Sequence, residues 1–387
     1  MTTDPWLTDE RQALRELVAD FTTREVVPHL AERERVGEVP RQLHQETAEV
    51  GLLGAGFPEE VGGSGGDPID GFVVAEQILL SGGSGGVVAA LLMHGIAVPQ
   101  RGERQRRPHR PLRAAHARRG GIGALAITEP GGDSDVAGIT TRARRDGDDY
   151  VVDGAELSIT SGARADSVTT AVRTGGPGHG GISLLVVEKG RPGFTVGRKL
   201  DEMGWLCSDT AELSYVDVRV PVGNLVGAEG SWGRTAPTYA TVGFGQIAQQ
   251  FQAERLSPAV QAYATAQRCV DLTMQWIRDR ETFGRPLASR QVVEHRMAEM
   301  IGVARTSTRT VAARWVAEGG QLMETAMAKN TAVAACEHVV HECVQLGGMG
   351  YMREHEVERH YRDARILGIG GGTTEIMNEI IVELLGL

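Results

Sequence analysis

Apolar residues at Leu14, Leu17, Val18 and Phe21 recur at i, i+3, i+4 and i+7, the stripe that one face of an amphipathic helix requires. With Thr8 placed to cap its N-terminus, one helix is predicted to about residue 30. Further helical runs stand at 73–80 and 87–93, separated by the glycine clusters 62–66 and 82–86, which read as loops. From residue 124 to about 226 the period changes. Short apolar and β-branched runs at 150–152, 168–172, 182–187 and 213–220 alternate with Gly, Asp and Pro and predict strands. The helical period returns from residue 246, in the long pieces 292–317 and 337–346, and closes with 375–385. Helices, then strands, then helices separate the two classes into different layers, unlike the alternation of a wound βαβ sheet. The expected fold is α+β and multidomain, with an N-terminal helical domain over 1–123, a middle β domain over 124–230 and a C-terminal helical domain over 244–387.

A chain of 387 residues, 41% hydrophobic and 23% charged, can bury several cores and is neither disordered nor fibrous by composition. Fifty acidic against forty basic residues give a net charge of −10, which argues against nucleic acid as a partner. The chain lacks any run of about 18 uninterrupted apolar residues. Its first 30 residues carry Asp4, Asp9, Glu10 and Glu16 instead of a basic-then-apolar signal, so a cytoplasmic protein with no membrane partner is expected. Cys207, Cys269, Cys336 and Cys343 form no C-x-x-C pair and no zinc-type spacing with histidine. Reduced buried thiols and no metal are expected. No G-x-G-x-x-G follows a strand, so a Rossmann nucleotide site is not supported. Of the forty basic residues only Lys189, Lys199 and Lys329 are lysine.

The run LAITEPGGDSD at 125–135 opens a turn in which the backbone N–H groups of Gly131 and Gly132 and the hydroxyls of Thr128 and Ser134 can face an anion. GLLGAGFPEEVGGSGG at 51–66 precedes it. MGWLCSDTAEL at 203–213, RETFGRPL at 280–287, CVQLGGMGY at 343–351 and RDARILGIGGGTTEIM at 362–377 follow. In this order and approximate spacing the chain resembles the acyl-CoA dehydrogenase family of flavoproteins. The resemblance implies a middle domain that is β-barrel-like, a C-terminal four-helix bundle, and a homotetramer or homodimer with FAD between domains and across a subunit contact. It places Leu125, Ile127, Thr128, Gly132, Ser134, Ile159 and Thr160 at the FAD, with Gln345, Gly348, Thr373 and Glu375. Arg280, Thr282 and Phe283 would reach the FAD of a neighbouring subunit, where arginine can fork onto phosphate. Ser134, Arg255 and Gly370 would contact substrate. The implied reaction is FAD-dependent α,β-dehydrogenation of an acyl thioester, on coenzyme A or a carrier protein, to the trans-2-enoyl thioester. Fatty acid metabolism is the implied setting, with an electron-transfer flavoprotein as electron acceptor.

That chemistry needs a carboxylate base for the α-proton and donors for the charge that develops on the thioester oxygen. The commonest family pattern supplies the base from Y-E-G-T, but residues 369–373 here read I-G-G-G-T, with Gly371 at the glutamate position. A branch resembling isovaleryl-CoA and long-chain acyl-CoA dehydrogenases draws its base from a Glu-Arg pair on the first helix of the bundle, and FQAERL offers Glu254 and Arg255. Glu254 is therefore the expected base. The N–H of Gly371, with a ribityl hydroxyl of FAD, is the expected donor pair, and the missing side chain leaves room for branched or longer acyl groups. Pro258 cannot donate to the carbonyl of Glu254, which predicts a kink.

Several positions depart from the family pattern. Ser158 stands where a Trp packs on the flavin, and Asp133 puts a carboxylate near phosphate in place of glycine. The loop after Gln345 is one residue short, and WGRTAPTYATV at 232–242 reads as an insertion. Residues 101–119 hold eight arginines and one acid where an amphipathic helix belongs. Such a tract suits either a shifted reading frame in GC-rich DNA or a patch for nucleic acid or an acidic partner. Two other functions fit the same residues. One is an oxidase or monooxygenase of the same fold, marked by oxygen reactivity; the other is a catalytically degraded partner-binding homologue, marked by the absence of flavin.

Overall fold

The computed structural model describes residues 4–59, 62–92, 120–132, 134–226, 242–300, 304–345 and 347–387. The arginine tract at 101–119, Asp133 and residues 232–241 lie outside the described residues. Helix α1 spans Asp9–Phe21, and the Thr8 hydroxyl accepts from the Arg11 N–H at 3.3 Å, which is the expected cap. The single helix predicted to residue 30 is broken. A π-helical turn, Thr22–Val26, and a 3-10 turn, Val27–His29, intervene. Pro28 has no N–H for a helical bond and its ring crowds the preceding turn. Helix α2, Leu30–Val36, then starts and ends at Gly37, which takes φ 84°. Helices α3 (Arg41–Glu49), α4 (Pro68–Leu80) and α5 (Gly85–Leu92) follow. Asp67 and Asp70 form a capping box on α4, which satisfies backbone donors the helix cannot pair itself.

The middle region has strands β1 (Gly123–Ala126), β2 (Arg142–Asp146), β3 (Asp149–Thr160), β4 (Ser167–Arg173), β5 (Ile182–Glu188), β6 (Phe194–Lys199), β7 (Thr210–Pro221) and β8 (Leu225–Val226). Among the described residues they make one sheet of order β6-β7-β3-β2-β4-β5-β8, with β1 parallel on β4. Each of the four predicted strand runs lies within a longer strand. The longest pairing is antiparallel β3 on β7, from Asp149↔Pro221 to Thr160↔Thr210, with a register shift between Glu156 and Ile159. That bulge puts Ser158 at φ 59°, and it re-aims the residues next to it, as bulges do at the ends of working strands.

The C-terminal region begins with α6, Val242–Asp279. Its secondary structure continues through Pro258. A short hairpin, β9 (Glu281–Thr282) with β10 (Arg285–Pro286), turns at Phe283 and Gly284, both with positive φ, as a two-residue hairpin loop requires. Helices α7 (Gln291–Met300), α8 (Ala304–Glu318), α9 (Leu322–Gln345), α10 (Glu356–Asp363) and α11 (Thr374–Leu385) complete it. Helix α9 starts 15 residues before the predicted run at 337, because alanines and threonines, not a clean apolar stripe, fill its first half.

The core of the N-terminal helices is shared. Trp6, Val18, Phe21, Val74 and Ile78 pack in one cluster with Leu256, Val260 and Tyr263 of α6 and Ala312 of α8. Asp363, buried at the end of α10, accepts from the N–H of Gly85 at 3.1 Å and of Trp205 at 2.7 Å. One carboxylate thus joins helix, sheet and bundle regions. All four cysteines are buried free thiols. Among the described residues no helix is long and apolar enough to cross a membrane, and no cluster of His, Cys, Asp and Glu could hold a metal ion.

Candidate active site

The sequence-predicted residues fall into three groups. In the first, Leu125 on β1, then Ile127, Thr128 and Gly132, lead out of the sheet, while Ile159 and Thr160 close β3. The Thr128 carbonyl accepts from the Leu157 N–H at 2.7 Å, so the glycine turn and the end of β3 are stitched together beside Ser158. Glu129, which sequence reasoning passed over, organises this turn. Its buried carboxylate accepts from the Thr140 N–H at 2.8 Å, the Thr140 hydroxyl at 2.7 Å and the Thr141 N–H. Burial alone would raise its pKa, but these backbone donors outweigh it and hold the group below the usual carboxylate value. Asp209 does similar work opposite, accepting from the Ala163 N–H at 2.9 Å and from Arg164.

Neither Gly131 nor Gly132 takes a left-handed φ, and among the described residues a Cβ at either would meet nothing within 4 Å. The described residues around the turn do not require glycine there. A turn kept bare on its outer side, between Thr128, exposed Ser134 and half-buried Thr160, is a cradle that admits a ligand's close approach to backbone N–H groups.

The second group surrounds Glu254, in the thirteenth position of α6. Glu254 keeps part of its surface open, while its Oε2 is buried without a hydrogen-bond partner. Arg255 beside it is buried, not the solvated half of a surface pair. The turn Gly370–Gly372 lies against them. Gly371 takes φ 68° and Gly372 φ 91°, and a Cβ at Gly371 would lie 3.7 Å from Glu254 Cγ and 3.7 Å from the Glu254 carbonyl oxygen. The carbonyl that Pro258 leaves unbonded within the helix therefore faces this turn. Lys329 of α9, also missed by the sequence reading, is 1% exposed and donates to the Gly370 carbonyl at 2.6 Å and to the Gly372 carbonyl. Its only signal was a lone lysine in an alanine-rich helix. Burial pushes the Glu254 carboxyl up to about 7, against the pull of the Arg255 and Lys329 cations. The same burial brings Lys329 down to about 8, with Glu254 opposing that fall.

Thr373 completes the turn as the N-cap of α11, its hydroxyl accepting from the Ile376 N–H at 3.3 Å. Glu375, in the first turn of that helix, is exposed.

The third group is peripheral in the single chain. Arg280 is exposed, Phe283 is 96% exposed and stacks only under the Arg290 guanidinium at 5.2 Å, and Thr282 accepts from Arg290. Gln345 ends α9 exposed, within 2.5 Å of the His341 ring, and Gly348 is open on its outer side.

A three-part helix–sheet–bundle chain, with a partly open carboxylate against one glycine turn and a second, bare glycine turn leading out of the sheet, is the setting for the comparisons with known proteins. Family profiles described as acyl-CoA dehydrogenase N-terminal, middle and C-terminal domains match residues 8–105, 124–218 and 241–386. The chain is 35% identical to "Probable acyl-CoA dehydrogenase YngJ" of Bacillus subtilis, over 98% of each chain. It is 36% identical to the pig (Sus scrofa) long-chain specific acyl-CoA dehydrogenase, mitochondrial, over 96% of this chain and 85% of that one. A solved structure of a probable acyl-CoA dehydrogenase from Mycobacterium abscessus is 60% identical, covers 98% of this chain and 100% of its own, and superposes with a TM-score of 0.91. The chain belongs to the acyl-CoA dehydrogenase family. It is an FAD-dependent oxidoreductase that dehydrogenates acyl thioesters. The bare turn at Gly131 and Gly132, flanked by Thr128, Ser134 and Thr160, fits such a cofactor.

Proposed function

We propose that Glu254 is the base of this dehydrogenation and that the backbone N–H of Gly371 is the chain's own donor to the thioester oxygen. In the reaction the α-proton passes to the Glu254 carboxylate, and the β-hydrogen leaves with its electron pair, yielding the trans-2-enoyl thioester. FAD, held by Thr128, Gly132, Ser134, Ile159 and Thr160, supplies the acceptor for that hydride. The observation that carries the assignment is a partly open glutamate, its Oε2 buried without a hydrogen-bond partner, lying against a turn whose central residue has no side chain. A poised pKa near neutrality is what a general base at physiological pH needs. Arg255 sits where it favours the charged carboxylate, the form that accepts the α-proton.

The space at Gly371 suits branched or longer acyl chains, and Ser134, Arg255 and Gly370 are the substrate contacts in this reading. Exposed Phe283, Tyr351 and Leu387 support a homotetramer or homodimer in which Arg280, Thr282 and Phe283 serve a neighbouring cofactor. Gln345, Gly348 and Glu375 complete the cofactor set. An electron-transfer flavoprotein is the acceptor, and the setting is cytoplasmic.

Glu254→Gln keeps the shape and removes basicity. Acyl thioesters should still bind, while anaerobic flavin reduction falls by about 10²–10⁴-fold. The wild-type rate should rise with pH through about 7, since the carboxylate must be ionised to accept the proton. Flavin reduction by the variant at the wild-type rate would remove Glu254 from the role.

A further inference from the structure

Lys329 is the only one of the three lysines that is buried, in a chain that otherwise writes its forty basic positions almost wholly as arginine. A buried ammonium is costly unless its protons are spent well. Here two go to the carbonyls of one turn, Gly370 and Gly372. The Gly370 carbonyl and the Gly371 N–H belong to the same peptide unit. No cis peptide occurs among the described residues, and in a trans peptide the C=O and N–H point in opposite directions. A cation bonded to the oxygen therefore stands behind the N–H, fixes the peptide plane and draws electron density away from the nitrogen. Hydrogen bonds that share one amide strengthen each other in this way. An arginine, longer and planar, would not place two protons on carbonyls so close together as a compact ammonium does.

We propose that Lys329 is a positioning residue for the dehydrogenation, acting through the Gly370–Gly371 peptide to orient and strengthen the N–H that receives charge from the thioester oxygen. The inference rests on the roles given above to Glu254 and Gly371. A second consequence follows from its place: Lys329 also lies beside the base. The charged groups acting on Glu254 are Arg255 from its own helix and Lys329 from α9, and those acting on Lys329 are Glu254 and Arg255.

The test compares Lys329→Met, which keeps the stem and loses the cation, with Lys329→Arg, which keeps a cation of different shape, both as FAD-loaded enzyme. Two readouts go beyond rate: the carbonyl stretch of a bound acyl-CoA in isotope-edited infrared difference spectra, and the pH profile of flavin reduction. In Lys329→Met the carbonyl downshift on binding should shrink and reduction should slow by about 10–100-fold, the scale of a misplaced or weakened oxyanion donor. The acid limb of the profile should move to higher pH, because a cation that favoured the carboxylate is gone. Lys329→Arg should hold the acid limb near its wild-type position while recovering only part of the carbonyl shift.

A folded Lys329→Met enzyme with wild-type carbonyl frequency, pH limb and rate would overturn the inference. If the neutral side chain prevents folding, an Arg variant with unchanged carbonyl frequency and unchanged rate would overturn it equally. Glu254→Gln run in parallel separates the two readings. A fast Glu254→Gln enzyme sinks the base assignment, while the infrared shift, which needs no base, still judges Lys329.

Discussion

Two glycine-rich turns belong to the proposed site, Gly131–Gly132 and Gly370–Gly372, and the reasons for glycine differ. At the second turn the backbone itself favours glycine. Gly371 and Gly372 have positive φ, and a Cβ at Gly372 would come within 2.8 Å of Met377 Cε. At the first turn none of the described residues forbids a side chain, since both positions have open space among them and neither takes a left-handed φ. Glycine at a left-handed position answers to the backbone, whereas glycine without that constraint is free to allow close approach of a ligand to the main chain. The first turn leaves open space on its outer side, as the proposed cofactor cradle requires. The second is a rigid part of the molecule, clasped by Lys329 and capped by Thr373.

Substitution at the two turns should therefore separate cofactor affinity from stability. Gly132→Ala should leave the melting temperature of the apoprotein unchanged or slightly raised, because alanine narrows the unfolded ensemble. FAD should bind about tenfold more weakly or worse, the roughly 1–3 kcal/mol that one inserted methyl costs a packed contact. Titration of apoprotein with FAD reads this directly. Unchanged affinity would mean that the turn is not the cradle. Gly372→Ala should reverse the pattern. A left-handed backbone costs a residue with a Cβ about 1–2 kcal/mol, and the melting temperature should fall by about 2–8 °C with FAD affinity nearly retained. A silent Gly372→Ala would show the second turn to be as permissive as the first.

The difference between these turns could not be read from sequence, where TEPGGDS and IGGGTTE are both short glycine runs. Order and class of the elements were legible because hydrophobic period reports directly on which face is buried. The predicted helix to residue 30 failed at Pro28, a local rule outweighed by an apparent stripe. The early half of α9 escaped because its buried face is alanine and threonine, which carry little periodic contrast. The shared core of α1, α4, α6 and α8 has no sequence signature at all, being a contact between parts far apart in the chain. Glu254 was singled out only through a resemblance, since a Glu-Arg pair on a helix reads as solvated; in the fold Arg255 is buried and Glu254 lacks a partner at Oε2. Lys329 and Glu129 were invisible because each matters through backbone carbonyls or N–H groups that sequence does not place.

Thr373 tests the boundary between the two kinds of turn at the smallest scale. Its position in the sequence suggested a cofactor contact, and in the structure its hydroxyl oxygen accepts from the Ile376 N–H as the cap of α11. A hydroxyl that accepts in a cap still has a proton to donate, so both roles can coexist in one side chain. Thr373→Ala removes both, and Thr373→Ser keeps both. If the cap is the whole role, the alanine variant should lose about 1 kcal/mol of stability, a fall of about 2–4 °C, with FAD affinity unchanged. If the hydroxyl also serves the cofactor, affinity should fall as well, and serine should restore affinity and stability together. A stable alanine variant that binds FAD poorly would put Thr373 with Gly132, among residues kept for the ligand and not for the fold.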